Sequence, residues 1–272
     1  HGGGFVNGGP YQLMRPNAFF CPQGRAAEYL LFSTLAEALR ETAGAGPYWI
    51  PSNGHFDTTE AHVVANGLQA ANLYQPGVME PFSLAQIETA NMDCGRLEGF
   101  IREKGRDAIP LIFITITNNT VAGQPVALAN IKQVSAIAAR HEIPLFFDAC
   151  RFAENAWFIQ RYEPGYQDRS IPSIVQEMFS CVDGFTISFK KDGMANIGGG
   201  VFFRDQGAFQ RRFSAHEDIG VRMKERQILT FGNDSYGGLR GRRTLSTPHR
   251  LYEGGSHPHP PPRRGPTPPP PP

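Results

Sequence analysis

Three short runs dictate the architecture of this chain: LIFITIT at 111–117, PLFFDAC at 144–150 and GFTISF at 184–189. They are rich in β-branched and aromatic residues, and they read as strands that are apolar on both faces. Pro144 opens the second run at an edge position, where its missing backbone donor is tolerated. GGGVFFRD, at 198–205, continues the strand pattern. Helical spacing marks 24–42, where Leu30, Leu31, Leu35, Ala38 and Leu39 share a face, and recurs over 127–142, 152–162 and 172–181. Buried strands separated by helices predict an α/β fold, a mostly parallel sheet with helices on both faces. In such sheets the polar groups at the carboxyl ends of strands face the ligand crevice.

Composition divides the chain in three. Residues 1–19 are Gly-rich and carry no helical or strand period; residues 20–242 read as globular; residues 243–272 are Pro-rich. Proline removes backbone donors and fixes φ, so the tail is expected to be disordered or polyproline II. A proline-recognition ligand is the functional alternative for it. The formal net charge of +1, from 26 basic and 25 acidic side chains, argues against a partner recognised by phosphate neutralisation, as nucleic acid is. No apolar run reaches the 18 residues of a membrane span, and the first residues lack the pattern of a signal peptide. Cys21, Cys94, Cys150 and Cys181 are scattered without metal-ligand spacing. A cytoplasmic protein is the expectation.

The strand ends supply the chemistry. Asp148 closes an apolar strand, where a carboxylate is costly unless a cation or hydrogen-bond donors meet it. Its bland reading is an N-cap for the helix beginning near Arg151; its functional one is a partner for a cationic ring nitrogen or a metal. Asn119, after LIFITIT, reads by itself as a turn. Ser188, Lys190 and Lys191 close the third run: two lysines there form either a surface charge pair or an amine prepared for Schiff-base chemistry. Gln23, Gly24 and Arg25 precede a helix whose first N–H groups suit an anion. An anion site, a strand-end carboxylate and a strand-end amine together describe a pocket for pyridoxal phosphate, which needs donors for its phosphate, a carboxylate at its ring nitrogen and an amine for its aldehyde.

The stretches CPQGRAAE, NGHFDTTEAH, TITNNTVAGQPVALAN, FFDACRFAENAWF, SFKKDGMANIGGG and SYGGLRGR resemble the tryptophanase and tyrosine phenol-lyase family of β-eliminating lyases, from about Phe20 to Arg242. The resemblance implies the fold-type I, aspartate-aminotransferase-like large domain and the cofactor pyridoxal phosphate. It makes Lys191 the Schiff-base lysine and, once freed, the base for the substrate's α-proton, and gives Asp148 the pyridine nitrogen. Asn119 and Arg151 fall near the cofactor's phenolic oxygen. Gln23, Gly24, Arg25 and Ser188 fall in the phosphate cup with Lys190 beside them, Phe56 stacks over the cofactor, and Asn196 contributes a backbone group to a monovalent-cation site, normally potassium.

HFDTT and TITNN side with tryptophanase, DGMANIGG with tyrosine phenol-lyase. The resemblance thus implies cleavage of an aromatic amino acid, tryptophan foremost, to indole, pyruvate and ammonia, with tyrosine as the alternative, by a homo-oligomer with no nucleic-acid or membrane partner. A threonine aldolase-like lyase shares the fold but not these motifs. Family members are nearly twice as long. No counterpart is seen here of the segments carrying the family's catalytic tyrosine, cation-binding glutamate and substrate-carboxylate arginine, so a cofactor-binding fragment without turnover stays open. The abrupt change at Gly241-Arg242 is expected to reflect a truncation, frameshift or gene-model error.

Overall fold

The computed structural model describes residues 16–42, 46–78 and 90–232. The first fifteen residues, the Pro-rich tail and SYGGLRGR lie outside the described residues. Seven strands form one sheet in the order β1-β7-β6-β5-β4-β2-β3: β1 (Pro16–Cys21), β2 (Trp49–Ser52), β3 (Gln69–Asn72), β4 (Ile112–Thr115), β5 (Leu145–Asp148), β6 (Gly184–Ser188) and β7 (Gly199–Arg204). From β3 to β6 neighbours are parallel, and β7 runs antiparallel to both β6 and β1. The expected mostly parallel sheet is present.

The three apolar runs supply β4, β5 and β6, every residue of which is buried. Side chains alternate across a strand, and the core divides accordingly. Ile112, Ile114, Leu145, Phe147, Phe185 and Ile187 pack on one face beneath α3 (Cys94–Lys104), α4 (Leu128–Arg140), α5 (Phe152–Tyr162) and α6 (Ile171–Ser180). Phe113 and Phe146 face the other side with Leu30, Leu31 and Leu35 of α1 (Gly24–Thr42), Phe209 of α7 (Ala208–Phe213) and Met223 of α8 (Ile219–Phe231). The remaining helix, α2 (Asp57–Ala65), follows β2. Helices therefore cover both faces, and among the described residues none is long and apolar enough to cross a membrane.

One strand differs from the sequence reading, and another carries no sequence expectation. Pro16–Cys21, partly inside the segment expected to be irregular, pairs along its whole length with β7, so the boundary expected at residue 20 falls within β1. Its order comes from a distant partner rather than a local period. Pro51 likewise argues against a strand at WIPS, yet β2 forms, with its ladder to β4 confined to Ser52 and Phe113.

The topology fixes where a ligand can sit. β1 runs antiparallel to β7 and β7 antiparallel to β6, so β1 ends at the edge where β4, β5 and β6 end. The register makes this concrete: Cys21 pairs with Gly199, which pairs with Ser188. The start of α1, three residues past Cys21, is thereby brought beside the end of β6. Phe146, fully buried and 4.9 Å from the Phe209 ring, anchors the α1 side of the sheet. Phe146→Ala is expected to destabilise the fold by about 3–5 kcal/mol, as a lowered midpoint in urea unfolding.

Candidate cofactor-binding site

A cleft of about 390 Å³ opens at the carboxyl edge of β4, β5 and β6, within the range of small-molecule sites. Gln23, Gly24, Arg25, Phe56, Asn119, Asp148, Arg151, Ser188, Lys190 and Lys191 all line it. Ten residues spread over 169 positions of sequence, from 23 to 191, thus meet in one place. Asn196 does not: it is exposed in the segment between β6 and β7 and is not among the residues lining the cleft. Among the described residues no group of three His, Cys, Asp or Glu side chains could hold a metal ion.

The two strand ends that carry Asp148 and Lys191 are laced together beyond the sheet. Ala149 N–H donates to the Thr186 carbonyl, at 2.9 Å, and Ser188 N–H to Cys150 Sγ, at 3.3 Å. Asp192 then reaches across, its Oδ2 accepting from Ala153 N–H at 2.7 Å and Glu154 N–H at 2.9 Å. It is therefore Asp192 that satisfies the start of α5. The cap role that the sequence allowed for Asp148 is not realised, since Asp148 Oδ1 accepts from Cys150 N–H at 3.4 Å and stays in the cleft. Burial raises the Asp148 pKa, while the Cys150 hydrogen bond and the charges of Lys191 and Arg151 act to lower it. Burial likewise pushes the Cys150 thiol up.

The loops after β2 and β4 are tied by amides. Asn53 Oδ1 accepts from Thr115 N–H at 2.8 Å, and Asn118 Nδ2 donates to the carbonyls of Asn53 at 3.0 Å and Gly54 at 3.2 Å. Of the adjacent asparagines, buried Asn118 fastens the loops and exposed Asn119 lines the cleft. Thr120 Oγ1 donates to the His55 carbonyl at 2.7 Å, which holds Phe56 at the rim.

The donors at the α1 end match a phosphate. A Cβ on Gly24 would meet Ser188 Cβ at 2.7 Å, and one on Gly199 would meet the Gln23 carbonyl carbon at 2.5 Å. Only glycine at both places lets the start of α1 lie against β6 and β7. The hydroxyls of Ser188 and Thr117, both in the cleft wall, are buried without a hydrogen-bond partner among the described residues, an arrangement that a bound anion or polar ligand relieves. With Arg25 and Lys190 alongside, helix terminus, hydroxyl and cations form an anion cradle. The residues present thus fit pyridoxal phosphate.

Residues 13–248 match the model of the family described as Beta-eliminating lyase. The chain belongs to the β-eliminating lyase family. The match extends past Phe20 and Arg242, the limits drawn from motifs alone. A tryptophanase of Salinibacter ruber is 43% identical over 226 residues, covering 81% of this chain and 42% of that protein. A tryptophanase of Rhodobacter capsulatus is 43% identical over 220 residues, covering 81% and 44%. A tyrosine phenol-lyase of Lacrimispora saccharolytica is 37% identical over 220 residues, covering 81% and 43%. The chain spans less than half the length of these curated relatives. A Listeria monocytogenes protein assigned as an L-allo-threonine aldolase shares the fold, at a TM-score of 0.55 and 15% identity over 89% of this chain and 55% of that one. The β-eliminating lyase family is one of lyases that use pyridoxal phosphate.

Glu28, Thr58, Thr115, Ile116, Thr117 and Cys150 also line the cleft and were not singled out from the sequence. Glu28 is the most consequential of them, a buried carboxyl raised from 4.5 to about 7 by burial first and then by the Asp148 charge. The folded protein binds that proton more tightly than the unfolded chain, so stability falls as pH rises from about 4.5 to about 7 and levels off above. Glu28→Gln is expected to flatten that portion of the stability–pH profile of the cofactor-free protein, measured by urea unfolding. Asp192→Ala is expected to cost about 1–2 kcal/mol through the lost α5 cap and to weaken pyridoxal phosphate binding, read by absorbance titration.

Proposed function

We propose that the chain carries the cofactor site of a pyridoxal-phosphate-dependent β-eliminating lyase that acts on an aromatic amino acid, with tryptophan ahead of tyrosine. The observation that carries this reading is the convergence of Lys191, Asp148 and the α1 anion cradle on one cleft. Bound pyridoxal phosphate supplies an electron sink for the negative charge that develops at a substrate's α-carbon. The start of α1, with Gly24, Arg25 and Ser188, holds the phosphate. Asp148 keeps a proton on the ring nitrogen; its burial makes that pairing strong, because little water competes for the charge. Phe56 would stack on the cofactor ring, and Asn119 and Arg151 would serve its phenolic oxygen, all three lining the cleft. Lys191 Nζ would be the amine that holds the cofactor's aldehyde and, when free, the base for the substrate's α-proton.

Tryptophan is favoured because HFDTT and TITNN side with tryptophanase and because the tryptophanases match at 43% identity against 37% for the tyrosine phenol-lyase. The protein reconstituted with pyridoxal phosphate is expected to release indole from tryptophan faster than phenol from tyrosine. Lys191→Ala is expected to lower either rate by at least a thousandfold. Phenol release exceeding indole release reverses the substrate assignment, and neither product above the Lys191→Ala background contradicts lyase activity in this chain.

A further inference from the structure

Glu28 sits in the second turn of α1, one turn in from the anion cradle, and is only 6% exposed. Both carboxyl oxygens accept hydrogen bonds, Oε2 from Thr58 Oγ1 at 2.8 Å and Oε1 from Thr59 Oγ1 at 2.7 Å. The two threonines belong to the first turn of α2, directly after Phe56. Two helices that approach the cleft from different strands, one bringing its anion-binding end and the other the residue at the ring face, are therefore tied by hydrogen bonds to one side chain, beside the edge-to-face contact of the Tyr29 and His62 rings.

We propose that Glu28 is a positioning residue: its bidentate clamp on Thr58 and Thr59 sets the distance between the α1 anion cradle and Phe56, and so fits the cleft to a phosphate and a stacked ring held at once. This deepens the cofactor reading given above and rests on it. Glu28 stands too far along α1 to cap the first turn, and no salt bridge to a cation within 4.0 Å is found for it among the described residues. The clamp needs hydrogen-bonding capacity rather than charge. With its pKa raised to about 7, the carboxyl accepts from both threonine hydroxyls when ionised; when protonated it donates from one oxygen to a threonine Oγ and accepts at the other, a pairing that glutamine reproduces with one donor and one acceptor.

The test uses the full chain with Glu28→Ala, Glu28→Gln, Thr59→Val and the Glu28→Ala/Thr59→Val double variant. Pyridoxal phosphate affinity is read by absorbance titration, and amide hydrogen exchange over residues 56–62 is read without cofactor. Glu28→Ala is expected to weaken binding about tenfold, in keeping with two lost hydrogen bonds, and to speed exchange at 56–62. Glu28→Gln is expected to stay within about threefold of the parent, and the double variant to be no worse than Glu28→Ala alone. Exchange at 56–62 unchanged in Glu28→Ala, or single effects that add in the double variant, would overturn the clamp. If the parent protein binds no pyridoxal phosphate, the cofactor reading fails, and the exchange arm still decides whether Glu28 ties α2 to α1.

Discussion

A carboxylate at the end of a strand buried on both faces has to be met by something positive or by donors, and the site is organised around that requirement. Asp148 is 6% exposed, so its charge is costly alone. The fold answers by bringing a second strand end alongside. β6 pairs with β5 through Asp148 and Thr186, and the backbone beyond both strands stays joined as far as Asp192, which caps α5. Lys191, one residue earlier, is thereby kept at the same edge. Both residues line the cleft, and the charges of Lys191 and Arg151 act together with the Cys150 N–H to offset the burial of Asp148.

The rest of the cleft follows from chain direction. β1 and β7 reverse the course of the sheet twice, so α1 begins at the edge where the parallel strands end. Its N-terminal N–H groups and macrodipole then face the Asp148–Lys191 edge with no long loop needed. Glycine at 24 and 199 permits the close approach, and amide ties from Asn53 and Asn118 hold the β2 and β4 loops on the opposite wall. The cleft is a product of topology first and of side chains second.

The sheet's centre and the polar strand ends that line the cleft were legible in the sequence because both produce local signals. An apolar run ending in Asp148, or in Ser188 and two lysines, announces a buried strand and an abrupt polar end. Phe56 was legible only through the family resemblance, since a lone phenylalanine otherwise reads as core. β1 and β2 left little trace, because Pro16–Cys21 is ordered by β7 and WIPS contains a proline. Glu28 and Asp192 were missed for a related reason. One resembles a solvent-facing residue of a helix and the other a charge in a turn, and the backbone and hydroxyl groups they serve lie about 30–40 positions away. Long-range hydrogen bonds to backbone or hydroxyls have no period that a sequence can display.

On the proposed reading, Lys191 and Asp148 belong to one cofactor pocket. It is tested most directly by adding pyridoxal phosphate to the purified chain, reducing with borohydride and mapping the labelled peptide. A visible absorbance band before reduction and cofactor attached to Lys191 after it are expected, with no label in Lys191→Ala. Label on another lysine, or a folded sample that takes up no cofactor, would contradict it.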